Sequence, residues 1–595
     1  MQGKVKIKEL FFKFLFLFCA VFGVLAIIVI IFYLLMEGVP GIAEIGFFKF
    51  IFGTVWRPEH STNPQYGILP MIVGSLYLTA LTIIIGVPLG VFAAIFLSRY
   101  CKGKLYNVLK QIITLIAGIP SVIFGYFGVQ VLKPLIAMLP GATNQGLGLV
   151  TSSITLAIMM LPTIILVSLD SLNSVPKSYY EGALALGATH TQAVFKTVVP
   201  AAKSGIFASV ILGINRAIGE TMALTYVTGN IAEFPGSLFQ SFRTLTVNIV
   251  VEMKYAEAGS LHWRAIIASG VVLFVFSLLI IISFNAYSSR SKERELSKKK
   301  RIKLASVKEI ELTPPSKQKN MNRLVPLCYA AITISVLAIV FIVGYVFVRG
   351  IPYINIPFLT GKGSLFDPIS VLPSLVRTLM VIGLTVVIAV PLGVGASLFL
   401  NEYTKKGSKL VRVIRVSVEA LAGIPSIIYG LFGVMFFVEV LGLGRSLYAG
   451  AFTMVLMILP VIIRTTEESL KSVPDSYREG SLALGASKSR TIFKVVLPSA
   501  LSGVVTGLIL GVGRIIGESA PLLYTSGTQI YHMPENYGSI GSTLTVCFYM
   551  LSTEGLYQNE AFAVGVVLIL TVIAINLLAA ATERFFARRL KNAAV

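Results

Sequence analysis

The sequence is dominated by apolar runs of roughly 20 residues or more, and no other feature constrains the fold as strongly. Each run is long enough to cross the ~30 Å hydrocarbon core of a bilayer as a helix. Because lipid offers no hydrogen-bonding groups, a helix is the natural way for each run to satisfy its own backbone. Hydrophobic residues make up 55% of the chain and charged residues only 13%, unlike a soluble protein. The sequence therefore predicts an all-α polytopic membrane protein.

The apolar runs and the loop signals between them predict about 12 membrane helices, six in each half of the chain. In the first half we expect helices at 11–36, 70–98, 108–134, 146–168, 205–228 and 263–286. In the second half we expect helices at 324–348, 371–400, 411–438, 448–466, 500–525 and 561–582. Four prolines inside these runs are expected to produce simple kinks rather than to bind substrate, although a broken helix can direct its N-terminal N–H groups at an anion: Pro88, Pro120, Pro391 and Pro425. The first run is too long for a signal peptide, so we predict a retained helix.

A hydrophilic segment, residues 288–323, separates the two halves. Its many Lys and Arg residues and its Pro314-Pro315 pair predict a solvated linker between a first half, 1–287, and a second half, 324–595. Six helices in each half place both termini and this linker on the same side of the membrane. All three are basic, so the positive-inside rule predicts that this side is cytoplasmic.

The formal net charge of +23 is explained by the same basic loops, so we expect no nucleic-acid partner. The expected location is the cell membrane, as a multi-pass protein in contact with lipid. The four cysteines are scattered and the histidines show no metal-ligand spacing. We therefore expect no metal site, no cofactor and no catalytic residues.

One polar stretch occurs twice in the same register. Residues 181–200 (EGALALGATHTQAVFKTVVP) return as residues 479–498 (EGSLALGASKSRTIFKVVLP). The repeated positions are Glu181, Gly187 and Pro200, then Glu479, Gly485 and Pro498. An even number of helices in each half makes the two repeats parallel, related by an axis along the membrane normal. Such halves enclose a path on that axis, which indicates a transporter.

Each copy of the repeated stretch, here called a repeated loop, lies between the fourth and fifth helices and is predicted to face the cytoplasm. A short helix over 179–186, a bend at Gly187 and a second short helix as far as Pro200 are expected. Two such loops suit docking to a two-fold partner. The alternative is an ordinary amphipathic loop, which the occurrence of two copies in register disfavours.

Ionisable pairs occur in the fifth helix of each half. Arg216 and Glu220 are four residues apart, as are Arg514 and Glu518, a spacing that predicts one shared helix face for each pair. Charges inside an apolar span usually face the bundle interior or an aqueous path, and guanidinium donors suit phosphate oxygens. We hypothesise that the arginines form a transient anion station and that the glutamates prevent overly tight binding. The alternative is a structural pair that only fixes the helix against its neighbours.

The repeated loop, with Glu six residues before Gly and that Gly thirteen residues before Pro, resembles the EAA loop of ABC importer permeases. AGIPSVIFGYFG at 117–128 and RAIGETMALTYVTGN at 216–230 resemble the phosphate permease subunit PstC. NEYTKKG at 401–407 and GRIIGESAPLLYTSG at 513–527 resemble its partner subunit PstA. The resemblance covers nearly the whole chain except the linker.

This resemblance implies the transmembrane domain of a type I ABC importer, with both permease halves fused in one chain. It implies that the repeated loops contact a cytoplasmic ABC ATPase dimer similar to PstB. It also implies an extracytoplasmic phosphate-binding protein similar to PstS, and inorganic phosphate as the substrate that passes the arginines.

The chain contains no G-x-x-x-x-G-K-[ST] run, so it is not expected to be an enzyme that hydrolyses ATP itself. A separate ATP-hydrolysing subunit must supply the energy. One alternative is an ABC permease for another oxyanion or a small polar solute. A second is an ion-driven secondary transporter, although an arginine beside each glutamate argues against free ion-coupling carboxylates.

Overall fold

The protein, as a computed structural model, is described over residues 2–60, 62–142, 144–302, 322–362, 369–404, 408–555 and 557–593. Within these residues eight helices are long and apolar enough to cross a membrane, and the number rises to 12 if each of four bent helix pairs counts as one span. The prediction of an all-helical polytopic protein is therefore confirmed.

The first half contains long helices interrupted by short ones. Its α-helices are α1 (Gln2–Ile45), α2 (Phe47–Phe52), α3 (Leu69–Ile95), α4 (Gly103–Ala117), α5 (Ser121–Phe127), α6 (Lys133–Ala137), α7 (Leu149–Asn173), α8 (Lys177–Ala185), α9 (His190–Gln192), α10 (Val199–Ala201), α11 (Lys203–Gly219), α12 (Met222–Val227), α13 (Leu245–Glu252) and α14 (Leu261–Ile302). Two short antiparallel strands, β1 (Trp56–Arg57) and β2 (Gln65–Tyr66), form a hairpin after α2.

The second half follows a similar order. Its α-helices are α15 (Leu324–Gly350), α16 (Ile356–Thr360), α17 (Leu372–Leu398), α18 (Lys409–Ala422), α19 (Ser426–Gly433), α20 (Leu447–Ser472), α21 (Asp475–Ala483), α22 (Lys488–Thr491), α23 (Leu497–Ser499), α24 (Leu501–Gly517), α25 (Ala520–Thr525), α26 (Leu544–Thr553) and α27 (Gln558–Ala593). π-Helical turns extend several of the helices in both halves: Phe96–Tyr100, Gly128–Leu132, Ala193–Val198, Phe399–Tyr403, Val434–Val440 and Ile492–Val496. Helix α14 continues through Ile302, into the predicted linker, and residues 303–321 lie outside the described part.

The third predicted span of each half is a broken helix. Helices α4 and α5 meet at 95°, and α18 and α19 meet at 97°. Pro120 and Pro425 stand at these breaks, so the expectation of simple kinks was wrong there. The proline ring removes one backbone donor and clashes with the preceding turn, which favours a helix end at these two positions. Pro88 and Pro391 nevertheless stay inside continuous helices. Gly86 stands two residues before Pro88 just as Gly118 does before Pro120, so the Gly-x-Pro pattern alone does not decide where a helix breaks.

The first helix of each half packs on the other half. Helix α1 contacts α14 of its own half and also α17 and α18 of the second half. Helix α15 contacts α27 and, across the halves, α3. Near its start α1 is also tied to the second repeated loop, because the Lys488 backbone N–H donates to Glu9 Oε1 at 3.0 Å. One hydrophobic core therefore runs through both halves.

Because the first helix of each half packs on the other half, we predict that the linker is not needed to hold the halves together. A protease site introduced between residues 303 and 321 and cut after membrane insertion is expected to leave both fragments associated, because α1 and α15 each pack closely against helices of the other half. Size-exclusion chromatography in mild detergent checks this, with the uncut chain as the control. Separate elution of the two fragments would contradict the exchanged packing.

Candidate functional site: a charged cluster at two helix breaks

The fifth helix of each half ends inside the protein. Helix α11 stops at Gly219 and Glu220 is extended (φ −69°, ψ 134°). Helix α24 likewise stops at Gly517 and Glu518 is extended (φ −92°, ψ 133°). Each Glu is the C-cap residue, one position past the last helical residue. Arg514 and Glu518 still form the expected i,i+4 pair, at 3.7 Å, whereas Arg216 is hydrogen-bonded to Thr163. A four-residue spacing cannot reveal a break that is stabilised by another segment of the chain.

Threonine hydroxyls stabilise both breaks. Thr246 Oγ1 donates to the Glu220 carbonyl at 2.9 Å, and Thr545 Oγ1 donates to the Glu518 carbonyl at 2.9 Å. Both threonines belong to the repeated TLT motif at the start of α13 and α26. The repetition of TLT was the one sequence signal for this contact, and sequence reasoning assigned it no role. Each carbonyl freed by the helix end thus finds a donor away from water.

The two breaks bring the four predicted charges together. The Arg216 guanidinium interacts electrostatically with Glu220 of its own half and with Arg514 and Glu518 of the other half. The four side chains are partly exposed, with Arg514 30% and Glu518 23% exposed. Two positive and two negative groups leave the cluster with no net charge. The site lies between the two halves, as the parallel repeat predicts.

The arginines have different partners. Arg514 Nε lies 3.7 Å from Glu518 Oε1, a loose ion pair. Arg216 Nη1 instead donates to Thr163 Oγ1 on α7 at 3.0 Å. Glu220 Oε1 accepts the Ala223 backbone N–H at 3.2 Å, at the start of α12. Both guanidinium groups therefore keep donors that a ligand could occupy.

Space beside the cluster is open on one side. A side-chain carbon at Gly513 or Gly517, which flank Arg514, would meet no other atom within 4 Å among the described residues. Ser519, which follows Glu518, is buried, and its hydroxyl has no hydrogen-bond partner in the described part of the chain. This hydroxyl can still donate one hydrogen bond and accept others.

Beyond the cluster each half is tightly packed within itself. A side-chain carbon at Gly125 of α5 would lie 2.6 Å from Ala223 Cα, and one at Gly430 of α19 would lie 3.1 Å from Pro521 Cα. A side chain at position 125 would force α5 and α12 apart, and one at position 430 would make a tight contact that requires α25 to shift by a few tenths of an ångström. The broken third span thereby supports the short helix that follows each Glu.

The repeated loops adopt the predicted helix–bend–helix shape. Helices α8 and α21 are followed by Gly187 (φ +85°) and Gly485 (φ +81°), left-handed conformations that favour glycine. No side chain of α8 or α21 is buried. Leu186 is 63% exposed and Leu484 is 91% exposed. An apolar side chain so exposed outside the apolar spans is typical of a contact surface.

A polar network stabilises the loops at the opposite face. Arg243 Nη1 lies 2.6 Å from Glu252 Oε1, and His262 Nε2 lies 3.0 Å from Glu252 Oε2. Burial raises the pKa of Glu252, but the hydrogen bond with His262 and the charge of Arg243 outweigh burial and lower the pKa below its ordinary value. Arg243 also donates to the Asn230 carbonyl, which fixes the loop between α12 and α13.

The family model of the binding-protein-dependent transport system inner membrane component matches residues 86–293 and 389–592. Because the two matches cover more than half of the chain, the protein belongs to this family, with one copy in each half. The predicted fold class, two parallel permease halves, is confirmed.

Three relatives refine the comparison. The phosphate transport system permease protein PstA homolog of Mycoplasma pneumoniae is 28% identical over 562 residues, 85% of this chain and 84% of that protein. PstC of Mesorhizobium japonicum is 35% identical over 252 residues, 39% of this chain and 76% of that protein. PstA 1 of Mycobacterium tuberculosis is 37% identical over 218 residues, 36% of this chain and 71% of that protein. The PstC match falls on the N-terminal half and the PstA 1 match on the C-terminal half, which confirms the resemblance seen in the sequence.

The helix break at Glu518 depends on Thr545. The substitution Thr545→Val keeps the shape but removes the donor, so the Glu518 carbonyl loses its partner and the free energy of unfolding should fall by about 1–3 kcal/mol. Because all four cysteines are buried, a thiol-reactive dye reports thermal unfolding. In the control Thr571→Val, the lost bond joins Thr571 only to Val567 of its own helix, and little change is expected. Equal melting temperatures for both variants would contradict the role of Thr545.

Proposed function

We propose that the protein is the permease of an ATP-driven importer of inorganic phosphate. A PstC-like half, 1–287, and a PstA-like half, 324–595, would be joined by the segment 288–323. The names of the relatives support phosphate as the substrate. The observation that carries the proposal is the convergence of two arginines from the two halves on one site.

In this proposal phosphate binds transiently between Arg216 and Arg514. Guanidinium groups offer planar, multidentate donors that suit phosphate oxygens. The Ser519 hydroxyl, which has no partner among the described residues, adds one more donor. Glu220 and Glu518 keep the arginines oriented and compete with phosphate for them. Phosphate carries one to two negative charges and would bind two arginines tightly. Competition from the glutamates prevents it from remaining bound.

The energy would come from a separate ABC ATPase dimer docked on the repeated loops. Glu181, Gly187 and Pro200 define one docking segment, and Glu479, Gly485 and Pro498 define the other. Both loops, both termini and the linker would face the cytoplasm, as the basic residues there indicate. A phosphate-binding protein would deliver the anion from the opposite face. ATP binding would draw the loops together and open the path outward, and hydrolysis would reset it.

Removing one arginine charge should reduce transport. Arg216→Gln or Arg514→Gln is expected to lower ATP-dependent phosphate uptake roughly 10- to 100-fold, because a charge-assisted hydrogen bond to the anion is lost. Uptake of labelled phosphate is measured in vesicles that contain the chain, its ATPase and its binding protein, with sulfate as competitor. Arg464→Gln is the matched control, since Arg464 forms an exposed pair with Glu468 at 3.2 Å.

Full uptake by Arg216→Gln and Arg514→Gln would assign both pairs a purely structural role. Strong competition by sulfate, with both arginines still required, would instead identify a permease for a different oxyanion.

The exposed leucines of the repeated loops should contact the ATPase. Leu186→Asp and Leu484→Asp are each expected to weaken ATPase capture roughly tenfold or more, because burial of a leucine side chain is lost and a carboxylate must be desolvated. Recovery of the ATPase subunit with the affinity-tagged permease measures this. Leu139→Asp, at an exposed leucine on the opposite face, is the control. Unchanged recovery with both loop variants would place the ATPase elsewhere.

A further inference from the structure

Two tyrosines in equivalent positions connect the halves just beyond the charged cluster. Tyr226 lies in α12 and Tyr524 lies in α25, the short helices that follow the two glutamates. The Tyr226 hydroxyl is hydrogen-bonded to Ser552 Oγ on α26 of the second half. The Tyr524 hydroxyl donates to the Val250 carbonyl on α13 of the first half at 2.5 Å. Each half therefore supplies one tyrosine and receives the other.

The donor in the bond between Tyr226 and Ser552 can be identified from the hydroxyl hydrogens of the two residues. Ser552 has one hydroxyl hydrogen, and its Oγ lies 2.6 Å from the Phe548 carbonyl of its own helix. A serine that donates to a carbonyl can only accept a further bond, so Tyr226 is the donor. The position equivalent to Ser552 in the first half is Met253, which has no hydroxyl. Tyr524 accordingly bonds to a backbone carbonyl instead.

Both tyrosines lie at the face opposite the repeated loops. Val227, next to Tyr226, accepts the Gly148 backbone N–H at 3.1 Å, where α7 begins. Helix α7 then runs for 25 residues, about 37 Å, before the chain enters α8. In the second half Thr525 accepts the Ser446 N–H at 2.9 Å, where α20 begins. The tyrosine bonds therefore close the halves at one end while the repeated loops lie at the other.

A cavity of about 210 Å³ lies between the halves on that face. Tyr524 forms part of its wall, together with Lys254 and Arg445, which contribute positive charge, and Glu439. Tyr524 belongs to the short helix whose start borders Glu518, so the helix extends from the charged cluster to the cavity. Tyr524 therefore lies between the two spaces, and Tyr226 packs on Tyr549, whose ring lies under Lys254 of the cavity wall.

We propose that Tyr226 and Tyr524 are the paired latches of the gate that separates this cavity from the site at Arg216 and Arg514. Opening at this face requires both hydroxyls to leave their partners on the opposite half. Each latch couples the short helix of one half to α13 or α26 of the other, so the two halves open together. The inference rests on the proposed function only for what passes the gate and for which compartment the gate faces.

The expected shift in the ratio of open to closed gates follows from the free energy of one hydrogen bond. Losing one latch should shift the ratio of open to closed gates ~5-fold, and losing both should shift it ~30-fold. Phenylalanine removes only the hydroxyl and keeps the ring packing of Tyr226 on Tyr126 and Tyr549. Tyr126→Phe is the matched control, because Tyr126 belongs to the same aromatic cluster but makes no hydrogen bond across the halves in the described part of the chain.

The experiment measures the gate directly in the full-length permease, reconstituted with its ATPase in liposomes without nucleotide. Nitroxide labels at Tyr255→Cys and Leu441→Cys, exposed positions on the two halves at this face, report the separation by pulsed electron resonance. The native cysteines are buried, so labelling is directed to the new ones. The parent should give one short distance, and the double variant Tyr226→Phe/Tyr524→Phe should gain a longer one.

An unchanged distance distribution in the double variant overturns the proposal, as does an equal opening caused by Tyr126→Phe. A double-mutant cycle tests the pairing: Ser552→Ala should shift the ratio as Tyr226→Phe does and add nothing to it. Full additivity of those two changes also overturns the proposal. The distances require no phosphate, so a permease for another solute would fail the uptake test and still show latch-dependent opening.

Discussion

A helix that ends inside an apolar bundle leaves backbone groups that lipid cannot satisfy, and the centre of this protein depends on how that cost is met. Each half ends its fifth helix one residue before a glutamate. The Glu220 and Glu518 carbonyls are both satisfied by a threonine hydroxyl from a distant segment of the chain. Because the donor comes from outside the helix, the break, the charged cluster and the short helix beyond it form one unit. Moving any of them requires the threonine segment to move as well.

In two further contacts of this kind, both halves use a backbone carbonyl at a corresponding place as the acceptor. The arginine that donates to it comes from a different element in each half. At the end with the repeated loops, the Leu172 carbonyl accepts from Arg99, which follows α3, and the equivalent Leu470 carbonyl accepts from Arg478, which belongs to α21.

At the opposite face, Arg243 satisfies the Asn230 carbonyl, while Arg377 of α17 reaches the Gln529 carbonyl in the corresponding loop. What the two halves share is therefore the backbone carbonyl left without a helical partner, which needs a hydrogen-bond donor wherever water does not supply one. The element that carries the arginine differs between the halves, so a search for matching charged positions in the two halves finds neither pair.

This distinction explains what the sequence could predict. Apolar runs gave the helices, and the duplication gave the parallel halves and the convergence of the Arg–Glu pairs, because those features depend on local composition and on register. Gly187 and Gly485 gave the bends of the repeated loops for the same reason. The right-angle break at Pro120 and the partner of Thr246 depend on tertiary contacts that spacing does not encode. Helix α13 was missed because eight residues are too few to predict a membrane helix.

The asymmetry of the charged cluster has a physical consequence for transport. A cluster with two positive and two negative groups can lie in an apolar protein because no charge is left uncompensated. An entering anion only has to replace the present partners of the two arginines, which are weakly held. Arg514 lies 3.7 Å from Glu518, and Arg216 is bonded to a neutral threonine hydroxyl. Neither guanidinium forms a close bidentate ion pair. An anion can therefore bind to the arginine donors and leave them again at a small cost in free energy. A transport path requires such weak, reversible binding, unlike a high-affinity binding site.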